Sequence, residues 1–218
     1  MLKRLLAFVL ALMVPPILIL LCARLIMTEP YLSFEYHKPD FPADPYGFTL
    51  DDRLHYAPYA VRYVFNTEGI DYLRNITLPD GSALYTEREL SHLQDVKGVV
   101  QLLFGGLIIV MCIAAAKVVL LWRLDRRVLW SALLTGSTLT LVLLAGSAVF
   151  VLTRWDSFFD RFHELFFSGG NWVFNFSDDL IRLYPVRFWQ DGALTLGLLS
   201  AVAAAGLLAV SARQLRRS

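Results

Sequence analysis

Cysteine is scarce in this chain. Cys22 and Cys112 both lie inside apolar runs, and neither belongs to a C-x-x-C pair or a spaced Cys/His set. A disulfide scaffold, a zinc ribbon and thioredoxin-like redox chemistry are thereby excluded. An excess of one charge is also lacking: 20 Lys and Arg stand against 19 Asp and Glu, a formal net charge of +1. Neither a nucleic-acid footprint nor an acidic disordered tail is expected from that balance. No internal repeat, coiled-coil heptad or low-complexity tract occurs. The G-x-S-x-G and S-x-x-K patterns are absent, and no cysteine lies outside the apolar runs, so an acyl-enzyme on Ser or Cys has no support. H-E-x-x-H is missing too, which leaves zincin chemistry without a basis. No cofactor or metal is expected.

What the chain has in abundance is apolar sequence. Its 218 residues are 56% hydrophobic and 18% charged, with a mean hydropathy of +0.53, a composition that a soluble domain of this size would have to expose. Four stretches are long and apolar enough to cross about 30 Å of hydrocarbon, which takes roughly 20 helical residues. They run approximately over 5–27, 99–121, 129–152 and 193–212. The expected fold is an all-α membrane protein, a single membrane domain built as a four-transmembrane-helix bundle. Outer segments at about 28–98 and 153–192 supply a mostly helical extracytoplasmic cap, chiefly from the loop between spans one and two. The apolar run of the first span is longer than that of a secretory signal, and no A-x-A-like site follows it, so it reads as a retained anchor.

Charges beside the spans set the orientation, because Lys and Arg are held on the cytoplasmic side. Lys3 and Arg4 precede span one, Arg123, Arg126 and Arg127 fill the turn between spans two and three, and Arg213, Arg216 and Arg217 follow span four. Asp125 is the only acid in these pieces; the other 18 fall in the two outer segments. Both termini are expected to be cytoplasmic, with the polar, chemistry-bearing segments outside. The short turn makes spans two and three an antiparallel hairpin. Span four, rich in Gly, Ala and Ser, is expected to be buried against the others.

The first outer segment opens with Pro30, Pro39, Pro42 and Pro45 and is extended there. Thr49 with Asp52, and Thr86 with Glu89, have the spacing of capping boxes and predict helix starts. The second of these helices meets no breaker before span two, which sets His92 on a rigid element just outside the bilayer. The second outer segment is crowded with aromatics, among them Trp155, Phe159, Phe162, Phe167, Trp172 and Phe174. An interfacial aromatic belt would account for most of them. It would not account for His163, Glu164, Asn171, Asp178 and Asp179 placed among them, since polar groups in such a segment need partners or water.

Of the four histidines, His37 and His55 read as structural. His92 and His163 both fall at outer ends of spans on the same side, where imidazoles that titrate near neutrality serve as base and then acid. Asp95, at i+3 from His92, is placed to hold that ring or to raise its basicity, though a solvated helix face is the plainer reading of the pair. Arg88, Arg161, Arg182 and Arg187 read as partners of the many outer acids.

Thr86-Glu-Arg-Glu-Leu-Ser-His-Leu-Gln-Asp-Val-Lys97, leading into a span, and later Phe162-His-Glu-Leu-Phe-Phe167, Asn171-Trp172, Asp179-Leu-Ile181 and Tyr184-Pro-Val-Arg-Phe-Trp189 together resemble the bacterial lipoprotein intramolecular transacylases. The four-span layout with a large first outer loop is similar as well, so the likeness covers most of the chain. The resemblance implies transfer of the sn-2 acyl chain of a diacylglyceryl lipoprotein to the α-amine of its N-terminal cysteine, giving a lyso-lipoprotein. It puts the functional pair on His92 and His163; Asp95, Glu164, Asn171 and Asp179 are expected in support from their placement. The partners it implies are diacylglyceryl lipoproteins and membrane phospholipid, and the location is the bacterial cytoplasmic membrane. Donor ester and acceptor amine sit on one substrate, so the substrate supplies proximity and no enzyme nucleophile is required. On that basis either histidine can be the base and the other the acid. Two other classes stay open on the residues alone: a bis-His haem or redox membrane module, and a non-catalytic membrane assembly or sensor protein.

Overall fold

The structure is a computed structural model that describes residues 1–167 and 170–217. The described residues form nine α-helices: α1 (Leu2–Ile26), α2 (Glu29–Tyr36), α3 (Leu50–Phe65), α4 (Asp71–Arg74), α5 (Glu87–Leu124), α6 (Arg126–Thr153), α7 (Trp155–Phe166), α8 (Asp179–Leu183) and α9 (Val186–Leu215). An isolated bridge between Thr77 and Ala83 closes the turn at Pro79-Asp80-Gly81. Gly81 takes a φ of +86° there, a conformation that suits glycine. Helices α1, α5, α6 and α9 are long and apolar enough to cross a membrane, as the four runs predict. In hydrocarbon a helix satisfies its own backbone, which is why such runs have no alternative.

The chain divides into two compact units. One comprises Met1–Arg24, Leu103–Thr153 and the chain from Leu194 onward. Its core gathers Leu10 from α1, Ala114 and Leu121 from α5, and Leu129 and Ala132 from α6. Gly136 of α6 lets α1 come close: a Cβ there would stand 2.6 Å from Val14 Cβ and 2.8 Å from the Ala11 carbonyl. Ser137 and Thr140 return their hydroxyls to the carbonyls of Leu133 and Gly136, each at 2.8 Å, so neither of these two hydroxyls is left open. Lys3 at the start of α1 pairs with Asp125 in the turn before α6 at 3.2 Å.

The fourth span departs from expectation. Only 11% of its most apolar stretch is buried, against 28% in α1 and in α6. Burial is confined to a narrow stripe of Ser200, Ala204 and Ser211, while nothing lies within 4 Å of a Cβ built at Gly197 or Gly206. Small residues permit close packing but carry little surface of their own to drive it.

The other unit comprises Leu25–Leu102 and Arg154–Ala193. Both capping boxes form. Thr49 and Asp52 exchange bonds at the start of α3, and Glu89 Oε2 accepts from Thr86 N at 2.7 Å and from its hydroxyl at 2.8 Å ahead of α5. The core of the unit is rich in tyrosine, and two of its hydroxyls find backbone partners across long stretches of sequence: Tyr36 donates to the Leu183 carbonyl at 2.8 Å and Tyr184 to the Ala57 carbonyl at 2.6 Å. Fully buried Leu32, Leu73, Leu84, Leu90 and Leu183 fill the space between them.

Candidate active site

Helix α5 carries His92 on its buried face, six residues after the Thr86 cap, and α7 carries His163 in its last turn. Within this one unit the two imidazoles come together, with ring centroids 6.1 Å apart and planes inclined by 27°. Aromatic rings enclose them. Phe167 and Phe174 meet His92 edge-on at 5.1 and 5.4 Å, Trp172 stacks on His163 at 4.9 Å, and Phe159 lies 4.1 Å from it. The aromatic density of the second outer segment is therefore more than an interfacial belt, because much of it walls this pair. Spacing offered one sign of that: Phe159 and Phe167 stand at i−4 and i+4 from His163, the neighbouring positions on a helix face.

The two rings differ in their polar surroundings. His163 Nδ1 lies 2.8 Å from the Phe159 carbonyl, as expected of a helical side chain leaning toward the preceding turn. A carbonyl oxygen can only accept, so in the neutral ring Nδ1 carries the hydrogen and Nε2 keeps its lone pair. His92 is only 7% exposed, and its Nδ1 makes no hydrogen bond among the described residues. Burial, then the neighbouring His163, hold its pKa down to about 4, with Asp95 pulling weakly the other way. Burial also lowers His163, opposed by the bond to the Phe159 carbonyl. Both rings are thus neutral at neutral pH.

Asp95, expected to hold the His92 ring, instead accepts a hydrogen bond from Asn171 Nδ2 at 2.7 Å, and its influence on His92 is electrostatic. Asn171 adjoins Trp172, so this bond links α5 to the loop whose indole stacks on His163. Arg88 strengthens the same link, reaching the Gly170 carbonyl at 3.3 Å and lying over the Phe174 ring. Glu164 is exposed and pairs with Arg161 at 3.5 Å. Asp179 pairs with Arg182, which also engages Asp44 at 3.0 Å, and burial raises the Asp179 carboxyl. Neither Glu164 nor Asp179 shares a hydrogen bond with the two imidazoles among the described residues.

Glu89 was read only as a capping residue, yet it does more. While Oε2 caps α5, Oε1 accepts from Leu180 N at 2.7 Å and so caps α8 as well. One fully buried carboxylate fixes two helix starts through a bond between residues 91 positions apart. Beside the imidazole pair lies a cavity of about 490 Å³ whose lining includes Gln94, Asp95, Gly98, Leu102, Phe166 and Phe167. It is polar at Gln94 and Asp95 and apolar along the next two turns of α5. Among the described residues no group of three or more His, Cys, Asp or Glu is gathered as metal ligands would be.

Comparison with known proteins adds what geometry does not. The family model described as "Lipoprotein intramolecular transacylase Lit" matches residues 6–189. An uncharacterised protein of Aquifex aeolicus is 31% identical over 198 residues, covering 91% of this chain and 89% of that one. Among solved structures, the membrane-integral lipoprotein intramolecular transacylase Lit of Bacillus cereus superposes with a TM-score of 0.81 at 20% identity, over 100% of this chain and 99% of that chain. A variant of the same protein with one histidine replaced by arginine superposes at 0.78, also at 20% identity, over 99% of this chain and 92% of that chain. These superpositions speak to the fold.

Proposed function

This chain belongs to the lipoprotein intramolecular transacylase family, and from that premise we propose how its residues move an acyl chain. Membership favours an integral membrane acyltransferase acting on lipoproteins over the haem and sensor readings. The reaction we assign is transfer of the sn-2 acyl chain of a diacylglyceryl lipoprotein to the α-amine of its N-terminal cysteine. The ester bond between the acyl carbon and the glycerol oxygen breaks and an amide bond to nitrogen forms. The nitrogen, an ammonium at the start, loses two protons, one passing to the glycerol oxygen and the other to water, leaving a lyso-lipoprotein. Because both ends are tethered, the protein's task reduces to managing those protons and the oxyanion.

The observation that carries this reading is the pair of neutral imidazoles at 6.1 Å inside an aromatic wall. Their roles follow from their differences. An α-ammonium has a pKa of about 7.7–8.0, so an imidazole held at about 4 would take its proton uphill by roughly 5 kcal/mol. His92 is therefore the poorer base. A neutral imidazole whose pKa is depressed is well suited to another task, donating an N–H to a carbonyl that becomes an oxyanion. His163, its Nδ1–H committed to Phe159 and its Nε2 lone pair available, takes the amine proton as the C–N bond forms and returns it to the departing glycerol oxygen. The apolar part of the cavity, from Gly98 to Leu102 with Phe166 and Phe167, receives the chain being transferred. Asp95 and Asn171 lie beside the pair, while Glu164 and Asp179 act in the scaffold.

The charge asymmetry supports a site on the extracytoplasmic side with both termini cytoplasmic. Membrane phospholipid surrounds the diacylglyceryl substrate there. Mass spectrometry of a diacylated lipopeptide incubated with the protein is the test. An N-acyl, lyso-glyceryl product is expected, and His92→Ala and His163→Ala should each lose it. His92→Gln, which keeps an N–H donor, should recover activity over His92→Ala, whereas His163→Gln, which has no basic nitrogen, should not. The opposite pattern would reverse the two roles, and full activity in both alanine variants would end the mechanism.

A further inference from the structure

The polar end of the cavity contains a carboxylate that the proton transfer above does not use. Asp95 is exposed and lines the cavity three residues beyond His92, a rise of about 4.5 Å along the helix. Other acids of this unit hold a guanidinium: Glu29 holds Arg62, Asp71 and Glu87 hold Arg74, and Asp40 holds Arg187. Asp95 has no cation within ion-pair distance among the described residues. Its Oδ2 is oriented by Asn171 Nδ2 at 2.7 Å, and its Oδ1 accepts no hydrogen bond among them. Asn171 in turn precedes the Trp172 that stacks on His163. The carboxylate is thus tied structurally to both imidazoles, through α5 to His92 and through Asn171-Trp172 to His163. His92, more than nine-tenths buried with an Nδ1 that makes no hydrogen bond among the described residues, stands three residues before it on α5.

A carboxylate beside the apolar side chains of Val99, Leu102, Phe166 and Phe167 suits a ligand that is cationic at one end and hydrocarbon further along. We propose that the Asp95 carboxylate, positioned by Asn171, binds the α-ammonium of the substrate's N-terminal residue and so brings the acceptor nitrogen to the imidazole pair. This rests on the transacylase reading, which requires that nitrogen to reach the ester carbon. A carboxylate only accepts, so it grips the ammonium through one N–H; a second N–H faces His163, whose removal of that proton frees the lone pair for the acyl carbon, and the remaining surplus proton leaves once the C–N bond has formed. Asp95 is a substrate-binding residue and Asn171 a positioning residue.

The test measures binding rather than turnover, in nanodiscs of phosphatidylcholine and phosphatidylglycerol at pH 6.5, with His163→Ala present to prevent reaction. Two probes are compared, a diacylglyceryl lipopeptide with its free α-amine and the same lipopeptide lacking that amino group. The amine form should bind about tenfold more tightly or better, the size expected of one charge-assisted hydrogen bond at a partly exposed site. Asp95→Asn, which keeps the shape and the bond to Asn171, should make the two dissociation constants equal. The double exchange Asp95→Asn with Asn171→Asp, which moves the charge to the other side of that bond, should restore part of the preference. A preference that survives Asp95→Asn, or an equal weakening of both probes, overturns the assignment. So does competition by added phosphatidylethanolamine, which would make the site a reader of lipid headgroup amines. Failure of the wild type to form N-acyl product would sink the transfer reading itself, whatever the binding preference.

Discussion

Replacing Phe174 with alanine should release His92 from the environment that keeps it neutral. An imidazole in water titrates near 6.5, and His92 is held at about 4, first by burial and then by His163. A difference of about 2.5 pKa units corresponds to roughly 3 kcal/mol favouring the neutral ring. Phe174 meets that ring edge-on at 5.1–5.4 Å together with Phe167, so its removal admits water to one side and weakens the largest cause of the shift. The sign of the linked stability is fixed by which state binds the proton. Between pH 6.5 and about 4 the unfolded chain is protonated at this position and the folded one is not. The stability of the unit is therefore complete above 6.5 and falls as the pH is lowered toward 4. NMR of the His92 Cε1–H signal in micelles should give a midpoint near 4 in the wild type and a higher one in Phe174→Ala. The variant should also lose less stability on acidification. A wild-type midpoint at or above 6.5, or an unmoved or lowered midpoint in the variant, would refute the account of the site as two neutral imidazoles.

Gly98→Leu adds a branched side chain to the lining of the cavity, where nothing now lies within 4 Å of a Cβ. Transfer of long acyl chains should drop by at least tenfold in a mass-spectrometric assay while short chains are still transferred. Unchanged transfer at both lengths would remove the acyl chain from this cavity. Glu89→Gln leaves a single acceptor oxygen for the three donors on Thr86 and Leu180 and should lower stability by about 1–3 kcal/mol in thermal unfolding. A smaller effect would mean that α8 is held chiefly by packing. Gly136→Ala brings a methyl to 2.6 Å from Val14 Cβ and should cost about 1–3 kcal/mol through overpacking, read in the same assay. No change would show that α1 shifts freely.

The features legible in the sequence are those that the chain settles locally. Four apolar runs became four long helices because hydrocarbon leaves the backbone no other way to satisfy itself. Thr49 with Asp52 and Thr86 with Glu89 capped helices because each partner is three residues from the other. His92 and His163 could be singled out, since apolar runs and flanking charges put both near span ends. Their meeting could not be read off, because no periodicity within α5 or α7 says which faces of two distant helices will touch.

Tertiary structure decided everything that depends on such distant contacts. It gave His163 its tautomer through the Phe159 carbonyl and turned an apparent aromatic belt into the wall of a site. Asp95 went to Asn171 rather than to His92, and Glu89 was shared between α5 and α8. The fourth span stayed largely open although its composition suggested close packing. Helical spacing names the residues that share a face. Which partner a polar side chain takes there is set by the loop that packs against it, and that loop arrives from another part of the chain.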